Sequence, residues 1–155
     1  MKYLKSLLAI IAISATTLLM SGCGVKNVEG SLEDIMTKVY GDIPSNQLPM
    51  MLSNIEITSE NQEYYLGTND ITYKEALASE SMVGSIAHSV VLIRLNDSSD
   101  AEKVVSKLKE SVNPRKWVCV GVEEVKVENI GDLVIVIMND THKDTLSQNF
   151  NNLSK

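Results

Sequence analysis

Apolar residues recur with helical spacing near both ends of the chain. The first segment begins after Ser31, whose hydroxyl is placed to cap a helix, and it ends at Gly41; its apolar positions are Leu32, Ile35, Met36 and Val39. The second segment covers residues 144–153, and its apolar positions are Leu146, Phe150 and Leu153. Each segment therefore predicts a helix with one buried face.

Two further helices are predicted between these segments. Ser99 and Glu102 form a capping box, and the apolar stripe that follows stops before Pro114; it consists of Ala101, Val104, Val105, Leu108 and Val112. From Thr72 to Met82, residues that favour helices dominate, and the expected buried side holds Tyr73, Ala76, Leu77 and Met82.

The strand signals are strongest in the second half of the chain. Ile86–Leu95 is apolar on both alternating faces, which predicts a strand covered on both sides or placed in the middle of a sheet. Leu133–Met138 is equally apolar and follows a predicted hairpin turn at Asn129–Asp132. Shorter strands are predicted over Tyr64–Leu66, Trp117–Val122 and Val125–Val127. Together the elements predict one α+β domain, a mainly antiparallel sheet of about four strands with helices packed on it.

The N-terminus has the parts of an export signal. Lys2 and Lys5 precede an apolar run from Leu7 to Met20, and two small residues then stand before Cys23. A cysteine in this place resembles the bacterial lipobox, although Met20 stands where a lipobox usually has Leu, Val or Ile. We therefore predict that the mature chain begins at Cys23, with lipid on that cysteine. The alternatives are an uncleaved membrane helix and export without lipid.

The predicted organisation has three parts: a lipoprotein signal peptide over residues 1–22, a lipid-anchored tether over 23–30 and the α+β domain over 31–155. Each buried methylene of an acyl chain contributes about 0.8 kcal/mol, so two or three chains on Cys23 would hold the protein firmly. The predicted location is extracytoplasmic, at the bacterial cytoplasmic membrane. The membrane, through lipid on Cys23, is the first predicted partner.

The charge balance excludes two classes of partner. The full sequence has a net charge of -6, and loss of Lys2 and Lys5 with the signal leaves the mature chain near -8. Phosphate backbones require clustered Lys and Arg, so we expect no nucleic acid as a partner. Attraction to anionic lipid is disfavoured for the same reason.

Three stretches carry a resemblance to known proteins: Ala78–Ser89, Asn113–Val122 and the hairpin at Asn129–Asp132. They are similar to a family of small uncharacterised bacterial lipoproteins, known mainly from Gram-positive species and carried as a domain of unknown function. The resemblance covers most of the mature chain. It implies a lipid anchor and a single domain, and it assigns no catalytic residue.

Two groups of residues are candidates for chemistry. Cys119 has no disulfide partner once Cys23 is acylated, and with His88 or His142 as a base it would be a nucleophile. Its place in a Val-Cys-Val strand instead predicts a small buried apolar side chain. Asp140, His142 and Asp144 would ligate a metal if they shared one face of an extended segment, whereas a solvated turn is the simpler interpretation. We therefore assign no catalytic residue, no metal site and no cofactor.

The most distinctive surface candidate is Arg115-Lys116-Trp117, which places a cationic pair beside the only tryptophan. Such a group would contact an anionic or planar ligand, or a protein partner. The alternative is that Trp117 enters the core while its two neighbours stay in water.

Three functions follow from these observations. The first, which we favour, is a lipid-anchored binding or protein-interaction module of the cell envelope, not an enzyme. The second is an envelope enzyme that uses Cys119 or the Asp140/His142 cluster. The third is a structural envelope protein that self-associates through a sheet face carrying Val91, Ile93 or Leu95.

Overall fold

Five strands form one antiparallel sheet, and helices cover it. The structure is a computed structural model that describes residues 27–41 and 43–155. Its elements are α1 (Leu32–Tyr40), β1 (Leu52–Glu56), α2 (Gln62–Leu66), β2 (Glu75–Ser81), β3 (Ser89–Arg94), α3 (Ala101–Ser111), β4 (Lys126–Ile130), β5 (Leu133–Met138) and α4 (Lys143–Asn152). The strand order is β1-β2-β3-β5-β4, and every neighbouring pair is antiparallel. The predicted α+β class is confirmed, with five strands in place of about four.

The two middle strands are buried on both faces. Every residue of β3 and β5 is buried, and alternate side chains enter different apolar clusters. Val91 and Ile93 pack with Leu108 of α3, whereas Val90 and Leu92 pack with residues of α1 and α4. The strand predicted over Ile86–Leu95 is confirmed for Ser89–Arg94, where both faces are covered, whereas residues 86–88 precede the strand and lie outside it.

The helices and loops that cover the sheet contradict the hypothesis of self-association through the face of Val91, Ile93 and Leu95. Val91, Ile93 and Leu95 are at most 2% exposed and lie beneath helix and loop residues of the same chain. The face that they form is therefore not open to a second copy.

The first and last helices lie where the periodicity predicts them. Ser31 caps α1, its hydroxyl oxygen accepting the backbone N–H of Asp34, and Gly41 ends the helix with a φ of +46°. In α4, Leu146 and Phe150 are fully buried. Gly131 has a φ of +55° in the tight turn between β4 and β5, which confirms the predicted hairpin.

Two predicted elements have the opposite secondary structure. The segment Thr72–Met82 was predicted as a helix but contains β2, because pairing with strands on both sides outweighs the helix preference of its alanines and glutamates. Ala76 and Ala78 face one cluster and Leu77 faces the other, which is strand spacing. The short strand predicted over Tyr64–Leu66 is the end of α2, and Gly67 closes that helix in the left-handed conformation.

Two further local predictions are wrong in detail. The Ser99/Glu102 capping box does not form; Asp97 accepts the backbone N–H of Ser99 instead, and a short 3-10 turn precedes α3. Trp117–Val122 is an irregular segment, not a strand. Its last residue folds back so that Val122 N–H donates to the carbonyl of Pro114 at 2.9 Å.

The described part of the predicted tether packs onto the domain. Val28 is 7% exposed, and the buried guanidinium of Arg94 donates to the carbonyls of Val28 (2.8 Å) and Gly30 (2.9 Å) while its Nε contacts Glu75 at 2.8 Å. Residues 27–30 therefore belong to the folded unit, contrary to the predicted boundary at residue 31. The predicted signal peptide and Cys23 lie outside the described residues.

Replacement of Arg94 by Ala should lower the free energy of unfolding by about 3 kcal/mol, because two carbonyls and a carboxylate lose a buried donor together. Urea unfolding followed by circular dichroism measures the loss. The control is Lys107→Ala, which removes an exposed pair with Asp70 at 3.5 Å and should cost less than about 1 kcal/mol. Equal effects of the two substitutions would contradict the role given to Arg94.

Candidate functional site

A buried carboxylate lies near the end of β2. Glu80 is 4% exposed, and its Oε1 accepts hydrogen bonds from the Trp117 indole at 3.0 Å and from the Tyr64 hydroxyl at 2.9 Å. Its Oε2 contacts the ammonium of Lys116 at 2.6 Å. A buried charge is tolerated only when it is paired and hydrogen-bonded, and both oxygens of Glu80 meet that condition.

The ammonium of Lys116 lies within a cage of aromatic rings. Its Nζ is 4.4 Å from the ring centre of Tyr64, 4.5 Å from that of Tyr65 and 5.2 Å from that of Trp117. The electron-rich faces of these rings attract the cation, and the side chain is only 3% exposed. We call Glu80, Lys116, Tyr64, Tyr65 and Trp117 the lysine cage.

Burial changes the titration of these groups. Desolvation lowers the pKa of Lys116, although its contact with Glu80 opposes that shift. Desolvation, with Glu80 adding to it, raises the pKa of Tyr65 to about 12 and raises that of Tyr64 as well. Both tyrosines are therefore neutral hydroxyls at physiological pH. The Lys116 ammonium, the Trp117 indole N–H and the Tyr64 hydroxyl all donate to Glu80, although one side of the Tyr64 ring remains exposed.

The predicted contact site Arg115-Lys116-Trp117 is divided by this arrangement. Arg115 is exposed, whereas Trp117 is 7% exposed and the Lys116 side chain is enclosed. The prediction of an open cationic pair beside an open tryptophan is wrong, since only Arg115 reaches solvent. Trp117 does enter the core, but Lys116 accompanies it.

His88 is buried, and both of its ring nitrogens are hydrogen-bonded. Asn139 Oδ1 accepts the backbone N–H of His142, so the amide nitrogen of Asn139 donates to His88 Nδ1 at 2.8 Å. His88 Nε2 then donates to the Tyr40 hydroxyl at 2.8 Å, and that hydroxyl donates to Ser79 Oγ at 3.0 Å. Neither ring nitrogen is free to accept a proton from a thiol.

Cys119 does not lie in the buried strand predicted for it. It is exposed, and its φ of +62° belongs to a turn. The prediction of a small buried residue in a strand is therefore wrong, because residues 117–122 form no ladder. The cysteine enzyme hypothesis also loses its first base, since His88 is buried and doubly bonded.

The three residues considered as possible metal ligands, Asp140, His142 and Asp144, each contact a different part of the protein. The Asp140 carboxylate accepts the backbone N–H of Glu123, His142 Nε2 lies 3.3 Å from the carbonyl of Gln47, and Asp144 faces Lys126 at 3.8 Å. Across residues 27–41 and 43–155, no group of His, Cys, Asp and Glu side chains is arranged to hold a metal ion.

Exposed apolar side chains gather at the same end of the sheet as the lysine cage. Met50 and Met51 are 68% exposed, Met82 is 59% exposed and Val118 is 72% exposed. Backbone hydrogen bonds join their segments: Met82 N–H donates to the carbonyl of Met51 at 3.0 Å, and Val118 N–H donates to that of Gly84 at 3.2 Å. We call these four residues the methionine patch.

Unusual backbone conformations coincide with this patch. In the described part of the chain, the residues other than glycine with a positive φ are Met51 (+53°) and Cys119 (+62°). Such conformations cost of order 1–3 kcal/mol each and persist only where the surroundings enforce them. Here they turn Met51 and the Val118-Cys119 pair outward at the end of the sheet.

The sequence holds a signal for this surface that periodicity does not reveal. The segments that meet here are free of Asp, Glu, Lys and Arg over residues 43–55, 81–93 and 117–122, in a chain that is 22% charged. A search for long uncharged segments would have marked them. It would not have shown that they meet, because their contacts are long-range.

A concave region lies between α3 and residues 70–72. Charged side chains line it, and Lys107 and Asp70 form an ion pair there at 3.5 Å. The charged side chains that line it are exposed to solvent, so the groove supports no catalytic assignment.

Comparisons with protein-family models, with curated proteins and with solved structures find no match to this chain. The resemblance to the uncharacterised lipoprotein family therefore remains a prediction. None of the helices within the described residues has the length and apolar character needed to span a membrane.

A double-mutant cycle should show strong coupling between Glu80 and Lys116. Each single change, Glu80→Gln or Lys116→Met, leaves one buried charge unpaired and should cost about 3–5 kcal/mol in unfolding free energy. The double variant should cost less than the sum by at least about 2 kcal/mol. The matched cycle at the exposed pair Lys107 and Asp70 should give coupling below about 1 kcal/mol. Coupling at Glu80 and Lys116 no larger than this control would contradict the cage.

Stability should fall as the pH is lowered from about 6.5 to about 4. Burial, with His142 adding to it, lowers the pKa of His88 from its ordinary 6.5 to about 4, so in this window the unfolded chain binds a proton that the folded chain does not. The contribution is about 3 kcal/mol and is fully present above pH 6.5. Urea unfolding at a series of pH values measures it. The decline should be smaller in His88→Gln and should persist in His142→Gln; identical pH profiles for His88→Gln and the unmodified protein would rule out this assignment.

Proposed function

We propose that this chain is a protein-interaction module of the bacterial cell envelope, anchored by lipid on Cys23 at the outer face of the cytoplasmic membrane, and that it binds a protein through the methionine patch. The observation that carries the proposal is the concentration of exposed apolar side chains at one end of the sheet. Exposed apolar patches of this kind are typical of interaction sites, and methionine adapts to varied partner surfaces. The proposal includes no catalysis and no cofactor.

The described chain begins at the opposite end of the sheet from the patch. Arg94, at the end of β3, holds residues 28–30, and it pairs across the sheet with Glu75 and Leu133. The patch adjoins Ser81, which lies at the other end of β2. Strands of six residues separate these two ends by about 20 Å.

This arrangement favours a protein over a lipid surface as the occupant of the patch. From Cys23 to Asn27 the chain spans at most about 15 Å, because consecutive Cα atoms are about 3.8 Å apart. A lipid on Cys23 would thus keep the Arg94 end of the sheet near the bilayer, with the patch at the far end. The acidic balance of the domain also opposes contact with anionic lipid.

The anchor and the patch can be tested in one strain series. The unsubstituted protein should incorporate a labelled fatty acid and Cys23→Ser should not, because the substitution removes the sulfur that carries the lipid. A photo-cross-linking amino acid at position 82 should give a discrete adduct in intact cells, and the adduct should disappear when Met50 and Met51 are both replaced by Ser. The same amino acid at Glu102, which is exposed on α3, is the matched control and should give no such adduct.

Two results would contradict the proposal. No label in the unsubstituted protein, or equal label in Cys23→Ser, would contradict the lipid anchor. Absence of an adduct at position 82, or an equal adduct from position 102, would contradict the proposal that the methionine patch is the binding surface.

A further inference from the structure

The outer edge of β1 has hydrogen-bonding groups that no other part of the described chain uses. Met82 N–H donates to Met51 O, and Ile57 N–H donates to Ala76 O, so the odd-numbered residues between them direct their backbone groups toward β2. Leu52 and Asn54 therefore direct their N–H and C=O groups outward. Within residues 27–41 and 43–155 these groups have no partner, whereas the outward carbonyl of Glu56 is occupied by the side chain of Asn61 at 3.0 Å.

The opposite edge of the sheet is protected. Helices α3 and α4 pack against β4, and the charged side chains of Lys126 and Glu128 lie 3.6 Å apart on it. Glu128 also accepts hydrogen bonds from Ser147 and Asn151 of α4. Charged residues and covering helices are the usual means by which proteins prevent strand pairing at an edge.

The β1 edge is less protected: its one charged side chain is the exposed Glu56, at the end of the strand away from the methionine patch. Residues 43–55 are free of charged side chains, and β1 contains no lysine and no proline. Asn54 is exposed, and the strand begins directly after Met50 and Met51. An open edge thus continues into the methionine patch without a charged boundary.

We propose that β1 accepts an extended, uncharged segment of a partner protein as a sixth strand, with the methionine patch binding the apolar side chains at one end of that segment. This inference rests on the proposed function and specifies its partner. Main-chain hydrogen bonds to Leu52 and Asn54 supply affinity, and the patch supplies selectivity, as in other cases of strand addition.

The anchor position favours a different protein over a second copy of this chain. Identical edge strands pair about a two-fold axis perpendicular to the strands, so their directions are opposite. Such a pair places the two Arg94 ends, and with them the two N-termini, at opposite ends of the joint sheet. Two copies anchored in one membrane with their patches away from the bilayer cannot meet in this way. A segment of another envelope protein has no such constraint.

The test uses the full-length, membrane-anchored protein with the photo-cross-linking amino acid at position 82. Asn54→Pro removes the outward N–H without touching a bond to β2, and it should lower the adduct yield by about tenfold, the effect of losing about 1.4 kcal/mol of binding. Asn54→Ala keeps the N–H and should leave the yield unchanged. Circular dichroism and the melting temperature establish that each variant folds; if Asn54→Pro does not fold, Asn54→Lys takes its place, because an edge lysine opposes strand addition.

Each outcome decides between defined alternatives. Loss of the adduct in Asn54→Pro and its retention in Asn54→Ala support strand addition. An adduct that persists in Asn54→Pro overturns strand addition while leaving the patch as a binding surface. An adduct of twice the mass of this chain shows that a second copy is the occupant and overturns the proposed partner. Absence of an adduct in the unsubstituted background contradicts the proposed function itself.

Discussion

The contact between the Glu80 carboxylate and the Lys116 ammonium holds the irregular segment between α3 and β4 against the sheet. That segment has no ladder of its own, so side-chain contacts add to the backbone hydrogen bond from Val118 to Gly84 in holding it. Lys116 and Trp117 both bond to Glu80, and the rings of Tyr64 and Tyr65 join α2 to the same point. One buried ion pair thus connects β2, α2 and the segment, and removal of either charge would leave the other buried and unpaired.

The same contact determines what the end of the sheet presents to solvent. With Lys116 and Trp117 directed inward, Val118 and Cys119 turn outward in a left-handed conformation at Cys119. Val118 then lies beside the segment of Met82 and Met51, where β1 begins. The lysine cage and the methionine patch are thus joined through the chain, because Trp117 precedes Val118 and Glu80 lies two residues before Met82.

Sequence patterns correctly predicted the elements whose own residues supply a complete buried apolar face. The periodicity after Ser31 and the apolar run Leu133–Met138 each correspond to one element, because each carries its own core face. The segment that forms β2 was misread, since its alanines and glutamates favour a helix until strands pair on both sides. The lysine cage was beyond prediction from one sequence, because Glu80 and Lys116 are 36 positions apart and no local spacing relates them.

The most direct test of this account is the nuclear magnetic resonance spectrum of Lys116 in the folded domain. Ring currents from Tyr64 and Tyr65 should move its ε-methylene protons upfield of those of the other lysines, and the enclosed ammonium should exchange its protons slowly with water. Both signals should return to ordinary lysine values on unfolding in urea. An ε-methylene resonance at the position of exposed lysines in the folded domain would contradict the cage.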